Sequence, residues 1–305
     1  AVGDQTIVSS ALPAIAAALG DVERVPWAVV AYLVAATIAA PVYGYIGDGF
    51  GRRRLMFVAL GIFMTGSVLC ATSPSALWLT GARLIQGFGG GGLMSLAQAL
   101  IGEVVPPRQR GHYQAYLATV ATTSAALGPV LGGYVTEHFG WRAIFFVNGP
   151  LGLIAILLVF RLQPRPGNRQ ADWSFDSLGL FYFVCFIAPF LVALERVRHF
   201  DAFNLGLAAA LFALSASAFV LMLRQENRAP APLLPITLYR RPSIWRSNGM
   251  AFCNGAAVTA LFAFLPLYLR VVHGNSPSQV GLTLLPVTVA IGIGSVITGR
   301  LITRT

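Results

Sequence analysis

Lysine is absent from this chain. All twenty-one basic residues are arginine, set against eleven acids, and charged residues make up only 10% of the 305 positions. The all-arginine usage reads as codon bias rather than function. A charged fraction far below the ~25% of ordinary soluble domains excludes that class. Cysteine is scarce too: Cys70, Cys185 and Cys253 stand alone in apolar stretches. Without paired spacing they imply neither a disulfide framework nor a metal site, and they read as small core hydrophobes. The four histidines, His112, His138, His199 and His273, fall in loops or at span ends, which gives no support to a histidine proton relay or metal centre. No signal peptide is visible. Nothing resembles a nucleotide-binding loop, so ATP-driven work is disfavoured. Gly87 to Gly92 do spell G-x-G-x-x-G, but no strand precedes them and they lie inside an apolar span, which excludes a dinucleotide site.

What the chain has in abundance is apolar surface: 56% of its residues are hydrophobic. A hydrocarbon core of about 30 Å takes ~20 helical residues to cross. Uncharged stretches of that order occur at Val25–Ile46, Leu55–Ser75, Tyr113–Thr136, Ala143–Phe160, Ser177–Leu194, Ala202–Leu223, Ser247–Leu269 and Pro277–Gly299. Ala76–Ile101 adds a ninth, interrupted only by Arg83, and Gln5–Gly20 looks like the remainder of a tenth. Backbone polar groups in lipid must be satisfied within the segment, so the spans are predicted to be helices. The chain starts inside one helix and stops just past another, so both ends are expected to be cut.

The net charge of +10 would suggest nucleic acid in a soluble protein. Its distribution points elsewhere. Alternating the spans puts fifteen of the twenty-one arginines on one side and five on the other, with Arg83 inside a span. By the positive-inside rule the arginine-rich side is cytoplasmic, so the basic balance reports orientation in a membrane rather than a polyanionic partner.

The densest arginine cluster is Gly44 to Arg54, G-Y-I-G-D-G-F-G-R-R-R, between two membrane-length segments. It is predicted to be a short cytoplasmic hinge around which two helices turn tightly. Gly44, Ile46, Gly47, Asp48, Gly51, Arg52 and Arg53 fall on the positions of G-x-L-a-D-r-x-G-r-k, the loop between helices two and three of the major facilitator transporters. The resemblance implies a gating role for Gly44, Asp48, Gly51, Arg52 and Arg53, with the acid helping to hold two halves together in the outward-facing state. Gly49 stands where that family usually has a basic residue.

Two charges lie within spans. Asp4 is the sole acid placed well inside one, since Asp48, Glu103, Glu137 and Glu195 sit at span ends. A buried carboxylate should face the protein interior, where the cost of its charge lets proton and cation compete for it. The run from Asp4 to Pro13 resembles the first-helix signature of the fourteen-helix drug:proton antiporters, with Ser9 in place of its Asn. Arg83 opens R-L-I-Q-G-F-G-G-G-G, which is similar to the superfamily's fourth-helix pattern. At 100° per residue Arg83, Gln86, Gly90, Met94 and Gln98 share one polar arc. Asp4 and Arg83 are thus candidates for proton coupling, and Gln86, Met94 and Gln98 for lining a cavity. A purely structural Arg83 tying helices together is the plainer alternative.

Ser124, Gly128 and Gly132 recur every four residues and offer a flat face for close helix packing, while Pro129 removes a backbone hydrogen bond and invites a kink. With Gly133 they resemble G-x-x-x-G-P-x-x-G-G, a fifth-helix motif found chiefly in proton-coupled antiporters. Trp141 to Gly152 is similar to a run of the fourteen-helix branch; on its own Trp141 reads as an interfacial anchor.

Gly299 to Arg304 loosely echoes the Gly44 hinge. That suggests two six-helix halves separated by an inserted pair. The expected fold is an all-α polytopic membrane protein of major facilitator type. Residues 1–163 would form the N-terminal six-helix bundle, 164–223 a cytoplasmic loop plus two inserted helices, and 224–305 a second loop with the first two helices of the C-terminal bundle. The resemblance implies a proton-coupled exporter of lipophilic, often cationic compounds in a bacterial cytoplasmic membrane. Its partners would be small lipophilic substrates, protons and lipids, with no nucleic acid, cofactor, metal or enzymatic activity. Export of one specific metabolite or siderophore, or a non-transporting sensor on the same fold, are the alternatives; oligomeric state is not legible.

Overall fold

The computed structural model describes residues 2–161, 176–197, 201–229, 232, 238–239, 241–274 and 277–302. Among them the regular structure is helical, with no strand. The helices are α1 (Val2–Leu19), α2 (Trp27–Phe50), α3 (Arg52–Ala71), α4 (Ala76–Val104), α5 (Arg110–Phe139), α6 (Ala143–Phe146), α7 (Asn148–Arg161), α8 (Ser177–Arg196), α9 (Ala202–Glu226), α10 (Pro242–Val271) and α11 (Pro277–Ile302). Seven segments among the described residues are long and apolar enough to cross a membrane, α6 and α7 counting as one. Nearly all of the first predicted cytoplasmic loop, part of the second, and Thr303 and Arg304 of the hinge echo lie outside the described residues.

Local signals start the helices. The Ser75 hydroxyl accepts from the Trp78 amide at the head of α4, and Asp176 and Asp201 do the same for Gly179 and Asn204 in α8 and α9, satisfying amides that have no partner in the first turn. Between α2 and α3 the expected hinge loop contracts to a single residue. α2 continues through Gly44, Gly47 and Gly49 to Phe50, and α3 begins at Arg52. Gly51 alone turns the chain, at φ +91°, a conformation that costs glycine nothing and other residues strain. The helices extend into the motif because glycine and arginine do not terminate a helix unless one residue leaves its dihedrals.

α2, α3 and α4 form a tight triad, and the glycine run of α4 is the reason. A Cβ on Gly89 would sit 2.5 Å from the Phe63 amide nitrogen; on Gly87 and Gly91 it would strike the carbonyls of Tyr32 and Ala36; on Gly92 it would lie 2.6 Å from the Tyr43 ring. Gly66 returns the favour from α3, where a Cβ would lie 2.5 Å from the Gln86 backbone. The G-x-G-x-x-G string is thus a groove for two neighbouring helices.

α5 runs unbroken through Pro129 and packs on α1. A Cβ on Gly128 would collide with Thr6, and one on Gly132 would lie 2.7 Å from the Ile7 carbonyl, while Gly133 meets nothing within 4 Å. The Thr6 hydroxyl donates to the Ser124 carbonyl at 3.3 Å. The four-residue face therefore meets the helix that carries Asp4, with Gly133 off it. α11 packs on the same α5, and α8 pairs with α9 and leans on α2.

The span expected from Ala143 to Phe160 divides at Val147 into α6 and α7. Trp141, expected at the interface, is buried with Val8, Ile15, Cys70, Leu79 and Phe145. A second apolar cluster, Ala39, Tyr43, Ala59 and Leu96, fills the triad nearer the Gly51 turn. Outward faces stay apolar, as with Leu153, Ile154, Leu157 and Leu158 of α7, which suits contact with lipid chains.

Overpacking a filled contact typically costs about 1–3 kcal/mol. Gly91→Ala is therefore expected to lower the thermal unfolding midpoint measurably, whereas Gly61→Ala, in the interior of α3 where a Cβ has nothing within 4 Å, should not lower it and should raise it slightly through helix propensity. Equal midpoints in detergent would show that the α2–α4 approach is not limiting. By the same logic Gly132→Leu should part α5 from α1 and lower the midpoint, whereas Gly133→Ala should not; an unchanged midpoint in Gly132→Leu would show that the α1–α5 approach is not limiting.

Candidate functional site

Along α2, α3 and α4 the order of side chains is apolar, polar, apolar. Ala28, Cys70 and Leu79 belong to one apolar cluster, Tyr43, Ala59 and Leu96 to the other, and between them come Tyr32, Ser67, Arg83 and Gln86. Polar groups sealed between apolar layers must satisfy one another. Here they converge on Asp4 of α1. Arg83 Nη1 lies 2.5 Å from Asp4 Oδ2, with both side chains almost fully buried. Gln86 Nε2 and Asn148 Nδ2 both donate to Asp4 Oδ1, at 3.0 and 2.7 Å. The same two amides donate to Ser67 Oγ at 2.8 and 3.2 Å.

The guanidinium is held on its other sides. Nη1 also donates to Gln86 Oε1 at 2.6 Å, Nε reaches the Ala28 carbonyl at 3.4 Å, and the group stacks over the Tyr32 ring with its carbon 4.1 Å from the centroid. Arg83 Nη2 has no hydrogen-bond partner and lies in this stacked arrangement. Cys70, predicted to be a plain core hydrophobe, is buried but touches the network, its thiol 3.5 Å from Gln86 Oε1. A carboxylate and a guanidinium buried together are tolerable only when geometry and further hydrogen bonds offset desolvation, and removing one partner costs about 3–5 kcal/mol.

The structure thus brings Asp4, Arg83 and Gln86 into one contact set. It leaves Met94 and Gln98, farther along the same arc of α4, exposed. Ser67, Asn148 and Tyr32 are members that sequence reasoning did not single out. Each is a polar residue in an apolar span, and Asn148 lies within the Trp141 to Gly152 run, so the signal was there without a partner to give it meaning.

The second assembly is the Gly51 turn. Arg52 Nη2 meets Asp48 Oδ1 at 2.7 Å, and Nη1 meets Glu103 Oε2 at 3.2 Å and the Ala99 carbonyl at 2.5 Å on α4. Arg53 donates to the carbonyls of Val159 and Phe160, at 3.1 and 2.9 Å, in the last turn of α7. Cations on carbonyls near helix C-termini satisfy unpaired acceptors and oppose the helix dipole. Asp48, expected to bridge two halves, is here 61% exposed and paired within its own bundle. Among the described residues no cluster of three or more His, Cys, Asp and Glu side chains could hold a metal ion.

A bundle of membrane-length helices closed around a buried ion pair defines a polytopic membrane protein. The sequence matches the Major Facilitator Superfamily over residues 1–305, and the chain belongs to that family of transporters. It is 35% identical over 301 residues to an uncharacterized MFS-type transporter of Mycobacterium tuberculosis, covering 99% of this chain and 44% of that protein. It is 30% identical over 301 residues to Multidrug resistance protein 3 of Bacillus subtilis, covering 97% and 58%. The chain spans about half the length of these relatives. Its fold resembles the solved proton:xylose symporter XylE, with a TM-score of 0.62 at 15% identity over 98% of this chain and 66% of that one.

At the turn, Arg52→Gln is expected to destabilise more than Asp48→Asn. The first loses contacts to two carboxylates and a carbonyl, the second an exposed pair worth about 0.2–1 kcal/mol. Thermal unfolding of both variants measures the order; equal losses would make Asp48 the anchor.

Proposed function

We propose that this protein is a proton-coupled secondary transporter that exports lipophilic, often cationic compounds by alternating access. The observation that carries the reading is the Asp4–Arg83 pair, buried among helices of a transporter fold, with Arg83, Gln86 and Asn148 all donating to the carboxylate. The printed names of relatives in Bacillus subtilis, Multidrug resistance protein 3 and Multidrug transporter protein MdtP, support the substrate class.

The chemistry follows from charge balance. With Asp4 ionised, the pair is neutral as a unit. A proton arriving on Asp4 leaves Arg83 buried without its counter-charge, a penalty that favours a different packing of α1 against α4. A cationic substrate competes with the proton for the same negative charge. In this reading Met94 and Gln98, exposed on α4, line the central cavity between residues 1–163 and the C-terminal bundle. The Ser124–Gly132 face keeps α5 close to α1 and limits leak. Gly44, Asp48, Gly51, Arg52 and Arg53 form the cytoplasmic gate, and Asp48 exchanges its Arg52 contact for one across the halves in the outward-facing state. Residues 164–223 contribute the inserted pair α8–α9.

The test is ethidium efflux driven by a pH gradient in proteoliposomes of the full-length protein. Asp4→Asn keeps the size of the side chain and removes its titration. The expected result is loss of gradient-driven efflux per unit of reconstituted, folded protein. Full retention would remove Asp4 from the mechanism.

A further inference from the structure

Asn148 is the first residue of α7, immediately after the break at Val147 that divides the span. That break points its amide toward α1 and α3 at the level of the cluster. Nδ2 lies 2.7 Å from Asp4 Oδ1 and 3.2 Å from Ser67 Oγ. An ionised carboxylate only accepts, so the amide must present its nitrogen. Gln86 presents its nitrogen to the same oxygen at 3.0 Å, and Arg83 occupies Oδ2. Both carboxylate oxygens are therefore faced by donors, and a proton on either would meet another hydrogen.

We propose that Asn148 is a positioning residue for Asp4, which holds the carboxylate in its ionised, acceptor-only form and releases it when the proton binds. The inference rests on the reading that Asp4 is the proton site, and it assigns the shell that sets when the proton is taken up. Asn148 suits this task better than Gln86. Gln86 also binds Arg83 and Cys70, so changing it disturbs the cation as well. The contacts of Asn148 are with Asp4 and Ser67, and it comes from a different helix. Position adds to this, because the head of α7 carries the positive end of the helix dipole.

Other charged or titratable groups near Asp4 come from known places. α4 supplies Arg83, α2 supplies Tyr32 beneath the guanidinium, and α3 supplies Cys70 on Gln86. Toward α1, α5 presents Ser124, Gly128 and Gly132, and α6 presents Ile144 and Phe145 within the apolar cluster. Among the described residues, Asn148 is the one neutral donor to Asp4 that is not also tied to Arg83.

The sign follows. Removing a donor weakens the ionised form, so the proton binds at higher pH. Infrared titration of the full-length protein in lipid follows the protonated carboxyl band that is lost in Asp4→Asn. Asn148→Ala is expected to move its midpoint to higher pH by about one unit, a roughly tenfold change in proton affinity. Asn148→Gln, which keeps the donor, should bring the midpoint back toward the parent protein. Should the alanine variant not accumulate, Ser67→Ala, which removes the hydroxyl that holds the Asn148 and Gln86 amides beside the carboxylate, should give a smaller shift of the same sign. An unmoved midpoint in Asn148→Ala, or in Ser67→Ala where that variant stands in, would overturn the proposal while leaving Asp4 as the proton site. If Asp4→Asn removes no band, the proton-site reading itself fails, and this inference with it.

Discussion

Few contacts in this molecule are as demanding as the one between Arg83 and Asp4. A guanidinium and a carboxylate have been taken out of water and placed where neither bulk solvent nor counterions can reach them. Coulomb attraction alone does not offset that transfer. What makes the pair tolerable is the set of second contacts: two amides on the carboxylate, a ring beneath the cation, and a backbone carbonyl at its side. Those partners come from α2, α4 and α7, and Ser67 of α3 holds the amides in place. Helices with largely featureless apolar surfaces thereby acquire a fixed register relative to one another. In a membrane, where helix association has little hydrophobic drive, such a polar knot specifies which faces meet.

The close approach that lets the knot form is supplied by absence. Tyr32 can lie under Arg83 because Gly87 and Gly90 offer no side chain where its backbone and hydroxyl pass. Gln86 sits beside Ser67 because Gly66 lets the backbones of α3 and α4 nearly touch. Electrostatics and packing are consequently not separable here.

Much of this was legible in the sequence, and the failures have physical causes. Membrane-length apolar runs, a tight turn within Gly44–Arg54 and the burial of Asp4 and Arg83 follow from composition, period and the cost of buried charge. That Asp4 and Arg83 touch does not follow, since one-dimensional spacing says nothing of contacts between α1 and α4. Asn148 and Ser67 carry no charge, and a lone neutral polar residue in an apolar span is too common to stand out. Trp141 looked like an anchor because aromatic residues at span ends often are; its burial depends on α1 and α3 covering it. The break at Val147 does have a mark a few residues on, because Pro150 has no N–H to offer the Phe146 carbonyl, but an uncharged apolar run does not show it.

Arg52 and Arg53 are neighbours in sequence, yet they grasp different helices, α4 by Ala99 and Glu103 and α7 by Val159 and Phe160. Those two helices are also the ones that bring Arg83, Gln86 and Asn148 to the carboxylate. One dipeptide thus acts as a crossbar at the far end of two parallel levers whose near ends meet at Asp4. If either lever slides along its axis, the crossbar must tilt or let go, so a displacement of one residue's width at the buried acid is felt as a broken grip a membrane leaflet away.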